Sequence, residues 1–251
     1  ELRKDIREYG ISAFPLVVAA QDLTMDVYSL VQAFGVGPLK ANTILLNWVE
    51  QTPLEDLEER ENRFGRNLRM AYSLERNIVI LCAKLNAWET LKDVPPEGRR
   101  IDVWWWGDAT SRLMLLFAYL MTRRNEWEDA KIRLLAVRKA PESDGTLADI
   151  LNMLNDVRID AVPEVVIQPN AETVTSYSGD ASLVFLPFRF KGSQIKDPFG
   201  GSFEDLFPNL PVVVLALAGE DIDLDAEPEE GKASEVAAAA DAAIDSRKIA
   251  L

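Results

Sequence analysis

At 251 residues, with 48% hydrophobic and 27% charged residues, the chain has the composition of a folded globular protein and not of a disordered one. Its net charge of −14, from 41 acidic against 27 basic residues, opposes binding to nucleic acid or to an anionic lipid surface. Histidine is absent and Cys82 is the one cysteine, which excludes histidine-activated nucleophiles, the commonest neutral metal ligand and an internal disulfide.

The first element in chain order is a strand at Phe14–Ala20, one of several near-continuous apolar runs of the kind that helices cover on both faces. A helix follows over Leu23–Phe34, with Gly35 as its C-terminal cap. Strand Thr43–Asn47 leads to the longest helix, Leu54–Leu74. Its early acids (Glu55, Asp56, Glu58, Glu59) and later arginines (Arg63, Arg66, Arg69) suit the helix dipole. Strand Asn77–Cys82 places the cysteine as a small buried side chain. Strand Ile101–Trp106, helix Ala109–Arg124, strand Ile132–Val137, helix Thr146–Val157 and strands Pro163–Ile167, Leu183–Phe188 and Val212–Ala216 complete the pattern. Ser202 is expected to cap a short turn of helix. Loops are expected at Val94–Gly98, Lys139–Gly145, Gln168–Gly179 and Lys191–Gly201, where turn residues gather. The acidic stretch Glu220–Glu230 reads as a solvated linker to an Ala-rich terminal helix, Ser234–Ile249.

Alternating strands and helices predict an α/β fold with a largely parallel sheet. Two α/β halves, 1–125 and 126–251, would meet near residue 125. No span is expected in the membrane, because the apolar runs Leu113–Met121 and Pro211–Gly219 have about half the ~20 residues needed to cross it. Glu1–Gly10 is charged throughout and does not read as a signal peptide.

None of the motifs that could carry chemistry is complete. Asp221, Asp223 and Asp225 alternate like the start of a calcium loop, but Ala226 and Lys232 stand where its glycine and glutamate belong. The stretch Gly35-Val-Gly37-Pro-Leu-Lys40 lacks P-loop spacing and follows a helix where a dinucleotide loop follows a strand. Asp102 and Asp108 flank three tryptophans, a pattern that would suit glycoside chemistry. However, Asp102 starts a strand and Asp108 is placed as a helix cap. The residues alone describe an acidic α/β protein without a recognisable active site.

Several segments together resemble the C-terminal domain of the cation-chloride cotransporters. They are Leu30-Val-Gln-Ala-Phe-Gly-Val-Gly-Pro-Leu-Lys-Ala-Asn-Thr43, Ile101-Asp-Val-Trp-Trp-Trp106, the Trp127–Lys131–Arg133 step, Ser178–Leu186 and Leu210–Leu215. Asn47-Trp48 departs from the family's usual glycine, and Ser234–Ile249 matches nothing in it. The resemblance implies two universal-stress-protein-like halves on the cytosolic face of a membrane transporter. The compact loops point to a prokaryotic relative. It further implies a homodimer, contact with the transmembrane core of the same transporter, regulation without catalysis, and a membrane link only through that core. Transport would be of chloride with sodium, potassium or both. Some members of the fold bind ATP through a glycine-rich loop, which is not found here, so no cofactor is carried over. Trp104, Trp105, Trp106 and Trp127 are the candidate contact residues. The alternative is a stand-alone universal-stress-like sensor of ATP or a small metabolite.

Overall fold

The structure, a computed structural model, describes residues 2–8, 10, 13, 23–33, 35–36, 39–48, 57–83, 85–139 and 144–224. The expected strand Phe14–Ala20, the terminal helix Ser234–Ile249 and the acidic stretch beyond Leu224 lie outside them.

In chain order the elements begin with helices α1 (Leu2–Glu8) and α2 (Leu23–Ala33). A two-strand ribbon follows, β1 (Gly35–Val36) and β2 (Leu39–Lys40), antiparallel to each other, so Gly35 opens a strand where a helix cap was expected. Next come β3 (Thr43–Asn47), α3 (Leu57–Ser73), β4 (Asn77–Cys82), α4 (Leu85–Asp93), β5 (Arg100–Trp105) and α5 (Ala109–Thr122). The rest of the chain supplies β6 (Lys131–Arg138), α6 (Asp144–Asp156), β7 (Ala161–Ile167), α7 (Ala171–Ser178) and β8 (Leu183–Pro187). It closes with β9 (Arg189–Lys191), β10 (Gln194–Lys196), α8 (Phe203–Leu206) and β11 (Val212–Leu217).

Seven strands form one sheet in the order β3-β4-β11-β8-β5-β6-β7. Strands β11, β8, β5, β6 and β7 are parallel, β3 and β4 are parallel to each other, and β4 meets β11 antiparallel. The chain is therefore α/β with a largely parallel sheet, as its strand–helix alternation predicts. The two halves expected to meet near residue 125 do not appear as separate sheets, because β5 pairs directly with β6 across that point. The change of strand direction falls earlier, between β4 and β5.

Each face of the sheet carries its own core. On one, Ile101, Val103 and Trp105 of β5 join Leu113, Met114 and Leu115 of α5 and Ile150 and Leu154 of α6. On the other, Trp104 joins Ile78, Ile80, Leu135, Leu186 and Leu215, covered by Leu68 of α3, Val174 of α7 and Phe203 and Leu206 of α8. Burial of each such side chain contributes about 1.5–3 kcal/mol.

Two expected loops contain structure. Gln168–Gly179 holds α7, whose start is fixed by a capping box: Asn170 Oδ1 accepts from the Thr173 N–H, and Thr173 Oγ1 from the Asn170 N–H. Lys191–Gly201 holds the β9–β10 hairpin, turned at Gly192 with φ +63°. Gly65 in α3 lies directly against this hairpin, since a Cβ there would sit 1.7 Å from the Ser193 carbonyl oxygen. Arg69 lies over the Phe190 ring at 5.0 Å, and Tyr72 and Phe190 have ring centroids 6.0 Å apart.

Candidate functional site

In an open parallel sheet the ordinary ligand crevice lies beyond the carboxyl ends of two strands whose connections leave in opposite directions. Here those strands are β5, which leads outward to β6, and β8, which leads back to β11. The chain's own groups occupy that position. Phe188, directly after β8, is 1% exposed and its N–H donates to the Ala216 carbonyl at 3.1 Å. Trp106, directly after β5, has its ring centroid 6.5 Å from that of Trp104 and 6.3 Å from that of Phe199. The start of α5 is also satisfied internally. Asp108 Oδ1 accepts from the Ser111 N–H at 2.8 Å and from its hydroxyl at 2.7 Å, and Ser111 Oγ accepts from the Trp106 N–H at 2.9 Å. An anion arriving at this helix end would have to displace the carboxylate of Asp108.

The strongest charge cluster has a structural task. Asp102 is wholly buried and lies between two arginines: Arg133 reaches it through Nη2 at 2.7 Å and Nε at 3.1 Å, and Arg100 through Nε at 3.0 Å. Both arginines also donate to the Tyr177 carbonyl at the end of α7, where positive charge suits the helix dipole. Arg100 binds Asp180 and Arg133 approaches Glu164 at 3.5 Å. The hydrogen bond from Arg100 holds the Asp180 carboxyl below the usual range, and the same bond raises Arg100. Asp102 and Asp108 thus serve an arginine fork and a helix cap respectively, and the paired-carboxylate pattern does not form a joint site.

The four tryptophans considered as contacts have different surroundings. Trp104 is fully buried and its Nε1–H donates to Ser178 Oγ at 3.1 Å, whereas Trp105 is 7% exposed in the opposite core. These two are taken up by the chain's own interior. Trp106 and Trp127 are half-buried, and Trp127 lies under the Arg99 guanidinium at 5.3 Å.

The acidic stretch is also less free than expected where it is described. Arg112 pairs with Asp221 and donates to the Ile222 carbonyl at 2.7 Å, while Ile222 and Leu224 pack on the core. Among the described residues no group of three or more His, Cys, Asp or Glu side chains could hold a metal ion, and no helix is long and apolar enough to cross a membrane.

The sequence reading missed the exposed apolar side chains at the β7 end of the sheet: Val162 at 62%, Ile167 at 47%, and Leu147, Leu151 and Val165 beside them. Pro163 is the signal that could have marked this strand as an edge, since proline within a sheet belongs where no ladder hydrogen bond is needed.

Comparison with known proteins agrees with the resemblance seen in the sequence. The family model described as Solute carrier family 12 matches residues 82–184, from the end of β4 to β8. Cation-chloride cotransporter 2 of Oryza sativa subsp. japonica is 27% identical over 187 residues, 72% of this chain and 17% of the relative. Cation-chloride cotransporter 1 of Arabidopsis thaliana is 26% identical over 156 residues, 60% of this chain and 15% of the relative. The chain thus spans less than one fifth of the length of these two curated relatives. Among solved structures, the cytoplasmic domain of a prokaryotic cation chloride cotransporter aligns with a TM-score of 0.63 at 14% identity, covering 89% of this chain and 81% of the other. A universal stress protein from Archaeoglobus fulgidus DSM 4304 aligns with a TM-score of 0.53 at 10% identity, covering 87% and 74%. The chain resembles the cation-chloride cotransporters in sequence, and its fold is that of the cotransporter cytoplasmic domain and the universal stress proteins.

Proposed function

We propose that this chain is the cytosolic regulatory and assembly domain of a cation-chloride cotransporter, acting through protein contacts and catalysing nothing itself. The observation that carries this reading is the coincidence of two independent likenesses on one region. The family match runs through the central strands β5 and β6, and the fold around them aligns with a cotransporter cytoplasmic domain over most of the chain.

In this reading the domain lies at the cytoplasmic face of the cell membrane, attached to a transmembrane core that moves chloride with sodium, potassium or both. It forms a homodimer and biases the core between its inward- and outward-facing states. A coupling of about 1–3 kcal/mol between domain contacts and core state is enough for such control. Of the four tryptophans, Trp106 and Trp127 keep surface that a partner can reach. The filled crevice at β5 and β8 favours this reading over a stand-alone nucleotide sensor, because Phe188 and Trp106 occupy the place a ligand would take.

The test is chloride-dependent cation flux through the complete protein in vesicles, with and without this domain. A change in flux on deletion, with the core still inserted, is expected. Unchanged flux would refute the regulatory role. Sedimentation of the isolated chain tests the dimer separately.

A further inference from the structure

Five of the nine exposed large hydrophobic side chains among the described residues fall in one unit, α6 with β7: Leu147, Leu151, Val162, Val165 and Ile167. Strand β7 ends the sheet and is paired there only with β6. Leu147 and Leu151 are one turn apart and share a stripe of α6. Val165 and Ile167 alternate with Val166, which belongs to the core on the opposite face, so they lie on the face that α6 covers. Together they form an apolar strip where the sheet runs out.

The charge around this strip is one-sided. Residues 144–167 carry the carboxylates of Asp144, Asp149, Asp156, Asp160 and Glu164 against the single cation Arg158. Of these, Asp149, Asp156 and Asp160 are exposed. A second copy meeting the strip face to face would bring like charges together, and an anionic lipid surface would be repelled. A strand added to the edge is disfavoured too. The Gln168 N–H donates to the Arg138 carbonyl, so alternation turns the amides of Val162, Glu164 and Val166 toward β6 and leaves Pro163 facing the open side without a donor.

We infer that the β7–α6 edge is a docking site for a cationic amphipathic helix of a partner polypeptide, with apolar residues on the strip and Lys or Arg against the flanking carboxylates. The inference rests on the reading of the chain as a contact module and names the surface such a module would use.

The probe is a fluorescein-labelled Leu/Lys amphipathic peptide of about five helical turns, titrated with the whole chain and followed by anisotropy. Saturable binding is expected, weakened about tenfold or more by Leu151→Ser with Ile167→Ser, the range of a hydrophobic hot spot. Leu45→Ser at the opposite sheet edge should leave it unchanged, and raising salt from about 50 to 300 mM should weaken it. Equal binding by the Leu151→Ser/Ile167→Ser chain would overturn the inference, as would equal binding of a Leu/Glu peptide. A dimer in sedimentation that these two substitutions dissolve would overturn it as well, by showing a second copy on the strip. The substituted side chains are exposed, and an unchanged unfolding midpoint verifies that folding is intact. None of these readouts depends on whether a transport core is attached, so failure here is separable from failure of the cotransporter reading.

Discussion

The guanidinium of Arg133 grips the carboxylate of Asp102 at two points, Nη2–Oδ2 at 2.7 Å and Nε–Oδ1 at 3.1 Å, with no part of the Asp102 side chain exposed. The pair joins neighbouring strands and also reaches the end of α7 through the Tyr177 carbonyl. Asp102→Ala removes the acceptor and leaves two arginines pointing into a site built for an anion. Breaking a buried pair on one side costs about 3–5 kcal/mol; because Arg100 and Arg133 are partly exposed, a loss of roughly 2–3 kcal/mol is expected. Urea unfolding measures it, and a loss below about 0.5 kcal/mol would show that α7 is held by other contacts.

Gly65 gives a backbone prediction. A methyl group there would overlap the Ser193 carbonyl oxygen, which is main chain and cannot rotate away. Although alanine favours helix over glycine by about 1 kcal/mol, Gly65→Ala should destabilise by about 1–3 kcal/mol, because overpacking outweighs propensity. A stabilised Gly65→Ala chain in the same urea experiment would mean that the hairpin does not lie against α3.

The Arg100–Asp180 pair sets an acid limit. Its hydrogen bond depresses the Asp180 carboxyl in the folded state, so this stabilisation is present above the unfolded carboxylate pKa and is lost as pH falls through the lower folded value. Asp180 is largely exposed, so the effect is small. Asp180→Asn should lower the thermal midpoint at neutral pH and converge with the parent chain as pH drops well below about 4. Parallel curves across that range would contradict the assignment.

Cys82 should be chemically silent in the folded chain. Burial pushes its thiol up, and the nearby charge of Glu204 adds to the shift. A thiol-specific disulfide reagent at pH 8 should label the native chain slowly and the urea-unfolded chain fully. The raised folded value also means that stability declines as pH climbs past about 8.5, where the unfolded thiol ionises and the folded one does not. Rapid native labelling would show that β4 opens readily.

Much of the sheet was legible from the residues. The runs Thr43–Asn47 and Asn77–Cys82 coincide with β3 and β4, because strands covered on both faces read as unbroken apolar stretches. Helix α7 was not legible: Glu-Thr-Val-Thr-Ser-Tyr has weak helix propensity, and its helix depends on the Asn170 capping box and on tertiary contacts of Val174. The tryptophans were misplaced for a related reason. Alternation along β5 showed that Trp104 and Trp105 point to opposite faces, but only the strand order reveals that β5 is internal, so that both faces are core. The β7 surface escaped notice because Val162, Val165 and Ile167 look like core residues until their strand is known to be the last one.

The central claim is that this chain belongs to a transporter, and the reading frame of its source gene upstream of Glu1 tests that most directly. The account predicts about twelve apolar segments of ~20 residues each, joined in frame to this domain. A start codon immediately before Glu1, with no such segments, would contradict it.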